Sequence, residues 1–299
     1  MDVVRTLPRT AEKLSLRAQQ GRLTVLDLQS KCPWLCQQIV RDADTSGLFD
    51  LWTECSNYDE LAGVSIVEPG VLQAIGNLAR LPLSGTTVHA GLQHTYGYLL
   101  STIVTRFGYK RDRWLSPMLE AGFGLPTDVL GPIPSQGTLL SNATLFAGKM
   151  AFRGQAPAIR RLKKIASAAA DAVQELDVGR FEQHRIVETV SLRDSRGRFR
   201  SIRIQTDLVP FPNDVAGCTE DTLLVYSIDD SSRGGTRLTT LFPIAPPFLS
   251  ELMNRDRFGS RVEIRTRFNA YVEGWSGQTL SGRRTIESLP GSKRRRKST

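Results

Sequence analysis

The sequence has 299 residues, 40% of them hydrophobic and 23% charged, an ordinary globular balance that builds a core without help from disulfides or metals. No apolar run reaches the ~18 residues of a membrane span. The start Met1-Asp2-Val3-Val4-Arg5 lacks the basic-then-apolar order of an export signal, so a cytoplasmic protein is expected. The net charge of +9 collects at one end: Arg283, Arg284, Lys293, Arg294, Arg295, Arg296 and Lys297 face Glu287 alone, and the rest of the chain is close to neutral.

The first third reads as short helices. Thr10 is a candidate N-cap, with Leu14 and Ala18 following at helical spacing. Gly21 ends that helix, Thr24 and Pro33 mark new starts, and Gly47 to Trp52 forms another short helix. Val71, Leu72, Ile75 and Leu78 make a helical stripe behind Pro69-Gly70. Tyr98 to Thr105 is apolar and β-branched and predicts a strand, turned by Phe107 to Lys110. Two short strand-like runs centre on Leu139 and Leu145. Pro157 opens the clearest helix, 157–177, with Ile159, Leu162, Ile165, Ala166, Ala169, Val173 and Leu176 on one face.

The last third carries strand signals. His184 to Leu192 and Ile202 to Leu208 alternate around a Ser195-Arg196-Gly197 turn. Leu223 to Ile228 and Leu238 to Pro243 follow, then an alternating run from Val262 to Val272 that predicts one dry and one wet sheet face. No βα repeat appears, so a doubly wound fold is not expected. The expectation is an α+β chain, N-terminal helices followed by a mainly antiparallel sheet packed on the long helix. Residues 1–285 form a single catalytic-type domain, and 286–299 form a disordered basic tail.

Cys32, Cys36, Cys55 and Cys218 show no zinc-like spacing, and no metal is expected. They read as thiols in a reducing compartment. Chemistry concentrates between Arg80 and Trp114. His89 and His94 lie in the run His89-Ala90-Gly91-Leu92-Gln93-His94-Thr95-Tyr96-Gly97-Tyr98, which combines imidazoles suited to proton transfer with glycines, hydroxyls and two phenols. A guanidinium at Arg80 could clamp a carboxylate in bidentate fashion. Lys110-Arg111-Asp112-Arg113-Trp114 adds cations and an aromatic. The plainer alternatives are a structural histidine pair, an Arg80 that answers a helix dipole, and a solvated basic turn.

The run His94 to Ser101, the upstream Arg80, the segment Lys110 to Trp114 and the overall length resemble the bacterial β-carboline synthases of marinacarboline-type biosynthesis. These are Pictet–Spengler enzymes that condense tryptophan with an α-keto aldehyde. The resemblance implies a cytoplasmic homodimer of secondary metabolism, acting without a cofactor on a small amino-acid-like substrate. Arg80 would hold its carboxylate, and His94 would relay a proton. Tyr96, Tyr98, His89, Val104 and Trp114 would line the substrate pocket. The family's glutamate base falls ten residues after the histidine, where this chain has Val104. Asp112 and Glu120 are the nearest downstream acids to replace it.

Two basic features support the alternative of a non-enzymatic nucleic-acid-binding protein. One is the tail Lys293 to Lys297. The other is the set Arg193, Arg196, Arg198, Arg200 and Arg203 around a hairpin tip. Arg160, Arg161, Lys163 and Lys164 crowd a helix start, where the dipole disfavours cations.

Overall fold

Helix α1 (Val3–Gln19) buries Leu7, Ala11 and Leu14, one stripe at heptad-like spacing. That stripe begins before Thr10, which therefore lies inside the helix and donates its hydroxyl back to the Thr6 carbonyl at 3.1 Å instead of capping. The computed structural model describes residues 3–59, 62–81, 83, 87–105, 108–116, 119, 137–166, 182–193, 196–210, 218–230, 235–254, 262–264, 269–272 and 280–291. Thr24 caps α2 (Val25–Lys31) through a capping box with Asp27. Cys32 ends that helix and starts α3 (Pro33–Asp44), with Pro33 in the first turn. Cys32, Cys36 and Cys55 are buried free thiols, and burial pushes the first two up to about 12. A single 3₁₀ turn, Phe49–Leu51, leads to β1 (Glu54–Ser56), and α4 (Pro69–Leu78) follows.

β2 (Thr87–His89) pairs antiparallel with β1. It runs directly into α5 (Ala90–Leu92) and a π-helical turn, Gln93–Gly97. The strand expected from Tyr98 shrinks to β3 (Val104–Thr105), paired with β4 (Gly108–Tyr109). Tyr98, Leu99 and Leu100 are buried at the end of the helical segment, so tertiary burial overrides a local β preference. The 3₁₀ segment Lys110–Trp114 follows.

The runs around Leu139 and Leu145 are not strands. They are one helix, α6 (Leu139–Ala151), buried at every position except Lys149. A helix that is buried on all sides shows no 3.6-residue stripe, which is why its pattern misleads. α7 (Ala156–Ala166) starts one residue before Pro157; the rest of the expected helix, 167–177, lies outside the described residues. α7 packs on α6, and α6 takes the place against the sheet expected for the 157–177 helix. A Cβ on Gly148 would stand 2.7 Å from Leu162 side-chain atoms, so the α6–α7 contact needs a glycine there.

The main sheet holds β5 (Gln183–Arg193), β6 (Phe199–Pro210), β7 (Thr222–Asp230), β8 (Gly235–Ile244), β9 (Val262–Ile264) and β10 (Leu280–Leu289). Its order is β8-β7-β6-β5-β10-β9, with every pairing antiparallel. Gly197 turns the β5–β6 hairpin at φ 76°. The chain is thus α+β. Its central strands are dry on both faces, unlike the one-faced sheet expected. Val209, Leu223 and Val225 join the core that contains α6, while Ile204, Leu208, Leu224 and Tyr226 form a second core with α8 (Pro246–Met253) and Ala270 and Val272. In the alternating run from Val262, residues 265–268 lie outside the described residues.

The expected tail also starts too early. Ile286, Glu287, Ser288 and Leu289 pair with β5, so β10 claims them; residues 292–299 lie outside the described set. No helix among the described residues is long and apolar enough to cross a membrane.

One polar cluster ties α6 to the sheet. Arg185 Nε donates to Asp207 Oδ1 at 2.7 Å, and its guanidinium also reaches the Met150, Ala151 and Arg153 carbonyls at the end of α6. Gln183 and Gln205 donate both to Asp207 and to the same carbonyls. The orphan carbonyls of a buried helix end are answered by three side chains of β5 and β6. Burial pushes the Asp207 carboxyl up, and the Arg185 charge and three hydrogen bonds oppose that. Breaking a buried pair by removing one partner costs about 3–5 kcal/mol. Asp207→Ala should lose that much unfolding free energy in urea. Arg80→Ala, which breaks an exposed pair with Asp44 at 3.0 Å, should lose less than about 1 kcal/mol.

Candidate functional site

The site grows from the junction of β2 with α5. The Ala90 amide donates to the Thr53 carbonyl at 2.9 Å, seating the helix start beside β1. A Cβ on Gly91 would come 2.9 Å from the Trp52 ring, so the indole and the helix backbone meet in van der Waals contact. The π-helical turn that follows takes one extra residue per hydrogen-bonded ring, a local widening common at functional sites.

The two histidines part company here. His89 caps α5: its Nδ1 accepts the Leu92 amide at 3.2 Å, and its Nε2 lies 3.0 Å from the Phe49 carbonyl. Both ring nitrogens are occupied, with Nε2–H donating, and desolvation lowers its pKa to about 4. His89 is structural. His94 is 1% exposed, and neither of its ring nitrogens has a hydrogen-bond partner. Its ring lies on Tyr98 at 4.6 Å between centroids, and its carbonyl accepts the Trp114 indole N–H at 2.7 Å. Desolvation, then Arg113, then Lys110 hold His94 well below the usual imidazole range, so the ring is neutral at neutral pH.

Cations gather around the same phenol. Lys110 stands 5.6 Å and Arg113 5.5 Å from the Tyr98 ring centroid. Lys110 pairs with Asp59 at 3.1 Å in a buried ion pair. Burial, with Arg113 adding to it, lowers the ammonium to about 8, and Asp59 opposes the shift. The Arg113 guanidinium also stacks on Phe242 of β8 at 4.0 Å. Burial raises the pKa of the Tyr98 hydroxyl. Asn269 sits at φ 60°. The Gln93 amide nitrogen donates to Ser56 at 3.1 Å, while its buried Oε1 has no partner.

Of the residues singled out in the sequence, His94, Tyr98 and Trp114 come together. Tyr96 is buried elsewhere, its hydroxyl donating to Asp42 of α3 at 2.5 Å. Arg80 is at the surface, in the left-handed region at φ 57°, closing α4 through amide bonds from Arg80 to Asn77 and from Leu81 to Gly76. Val104 is 59% exposed. Arg80, Val104 and His94 therefore do not share a cleft. Asp112 is exposed and Glu120 lies outside the described residues; the carboxylate inside the cluster is Asp59. Asp59, Phe242 and Asn269 carry no local signal, because only the tertiary fold brings them to Tyr98 and Arg113. Among the hairpin arginines, Arg200 pairs with Asp230 at 2.9 Å and Arg193 stacks on Phe199. On α7, Arg161 lies 3.8 Å from Asp50. Among the described residues no group of three or more His, Cys, Asp or Glu gathers as a metal site.

No family model, no curated protein and no solved structure matches this chain.

A neutral imidazole offers one donor and one acceptor, the pair needed to take a proton at one atom and return it at another. Its depressed pKa has a thermodynamic signature. The unfolded chain binds a proton below about pH 6.5, while native His94 refuses it, so stability is full above that pH and falls as pH drops below it. His89 acts the same way down to about 4. Asp42, pushed up to about 7 by burial, acts oppositely: its contribution is present at low pH and lost as pH rises through 7. His94→Gln should therefore reduce the slope of unfolding free energy against pH below about 6.5, by at most about 1.4 kcal/mol per pH unit. An unchanged slope in urea titrations would show that the native ring is readily protonated.

Proposed function

We propose that the chain is an enzyme that uses His94 for proton transfer on a small amino-acid-like substrate. The observation that carries this reading is the contrast between the two histidines. His89 is half-buried and has both nitrogens paired, whereas His94 is fully buried and has neither. Leaving a buried polar group unpaired costs about 1–3 kcal/mol, a cost that a fold sustains where the atoms meet a ligand. Lys110 and Arg113, set against Asp59, leave a positive surplus that favours a carboxylate.

The sequence resemblance supplies the reaction: Pictet–Spengler condensation of tryptophan or a similar amine with a keto aldehyde. The amine attacks the aldehyde carbon, and loss of water gives an iminium. Indole C2 then bonds to that carbon, and the C2 proton leaves to restore aromaticity. In this chain His94 takes or delivers the protons. Asp59 stands in for the family's glutamate, and Lys110 takes the carboxylate role assigned to Arg80. The homodimer implied by the resemblance belongs to the same reading.

The test is incubation with tryptophan and methylglyoxal, followed by mass spectrometry for the tetrahydro-β-carboline. Wild type should form it. His94→Gln and Asp59→Asn should each reduce turnover by about 100-fold or more, with Arg80→Ala and Val104→Ala close to wild type. The reading fails if wild type neither forms product nor binds tryptophan saturably, or if His94→Gln turns over normally.

A further inference from the structure

The second core contains polar atoms that a purely structural sheet does not need. Thr206 of β6 pairs with Tyr226 of β7, and Tyr226 pairs with Thr240 of β8. Directly opposed residues project to the same face, so the three side chains form one row across three strands. Two inter-strand spacings make that row about 10 Å long. Thr206 and Thr240 are 0% and 1% exposed, and neither hydroxyl has a hydrogen-bond partner. Valine has the same shape and would fill either place without the polar cost. Two buried threonines on helices are satisfied locally: Thr95 donates to Gly91 and Thr144 to Leu140. On β6 and β8 the ladder already occupies the carbonyls.

Two observations connect the row with the His94 cluster. Phe242 lies two residues beyond Thr240 on the same face of β8, and it carries the Arg113 guanidinium at 4.0 Å. Arg113 in turn stands beside Tyr98, on which His94 lies. A β-bulge falls at the row itself: Tyr226 pairs with Thr240 and Ser227 with Leu238, so Thr239 is the extra residue, and its hydroxyl and that of Ser227 are also buried without partners. Bulges recur where a strand re-aims side chains next to active sites.

We infer that this sheet face is a second subsite, in which Arg113 and the hydroxyls of Thr240 and Thr206 hold a small carboxylic acid with further oxygen atoms, of the 2-oxo acid type. The guanidinium, held 4.0 Å over the Phe242 ring, meets the carboxylate, and the row donates to and accepts from the remaining oxygens. The inference rests on the His94 cluster being a ligand site. It adds the class of the molecule delivered to it.

Pyruvate is the probe, with inorganic phosphate at matched ionic strength as the generic anion, both measured calorimetrically on the full chain. Pyruvate should bind wild type and bind at least about tenfold more weakly to Thr206→Val, Thr240→Val and Arg113→Gln, while phosphate binds more weakly than pyruvate. Without ligand, the two valine variants should melt at or above the wild-type temperature, because each removes an idle buried hydroxyl; a structural hydroxyl would give a lower one. Equal pyruvate binding by wild type and both valine variants overturns the subsite, as does no binding by wild type. Phosphate binding as tight as pyruvate overturns the ligand class. If hydroxyl-dependent binding is found but the condensation assay fails, the reaction is wrong and the subsite stands.

Discussion

The ion pair of Arg185 with Asp207 is the constraint on which the architecture depends. A helix enclosed on all sides, like α6, leaves four carbonyls at its end with no water to meet them. Arg185, Gln183 and Gln205 meet those of Met150 and Ala151, and Asp207 orients all three donors. The other end is held as firmly. The Leu139 amide donates to Gln38 at 2.8 Å, and Thr138 donates to Asp42 at 2.5 Å. α6 therefore bridges the N-terminal helices and the sheet through polar contacts at both tips and apolar contacts along its length.

The π-helical turn is built onto this frame. Tyr96 shares Asp42 with Thr138, so the same carboxylate fixes the N-terminus of α6 and the turn that carries His94. Trp52 donates its indole N–H to Thr144 of α6 at 2.8 Å and packs against Gly91. The position of His94 is thus set by residues outside its own cluster. A binding group held by a rigid frame loses little entropy when the ligand arrives.

The sequence was informative where one face of an element meets water. The α4 stripe, the helix start at Thr24 and the tip of the β5–β6 hairpin around Gly197 all have that one-sided character, and they form as their patterns predict. It misled where burial is complete. α6 resembled two strands because no polar face interrupts it, and β6 and β7 hid a second core because both their faces are dry. The site was half legible. His94 and Lys110 to Trp114 stand out by residue type, but nothing local separates His94 from His89. That distinction lies in which carbonyl and which amide reach each ring. Arg80 looked like a clamp, and it is the left-handed residue that closes α4.

Strand β10 has a consequence for how the chain is made. It comes from residues 280–289 yet inserts beside β5, which begins at residue 183. During synthesis β5 and β6 can zip together early, but the outer edge of β5 waits for a partner nearly a hundred residues downstream. Until then the nascent sheet presents an unprotected ladder to any other extended segment nearby. The last-made strand acts as a cover over that edge. A ribosome that stalls before residue 280 would release a chain with its early hairpin formed and a sticky margin open, a natural client for chaperones or for proteolytic clearance.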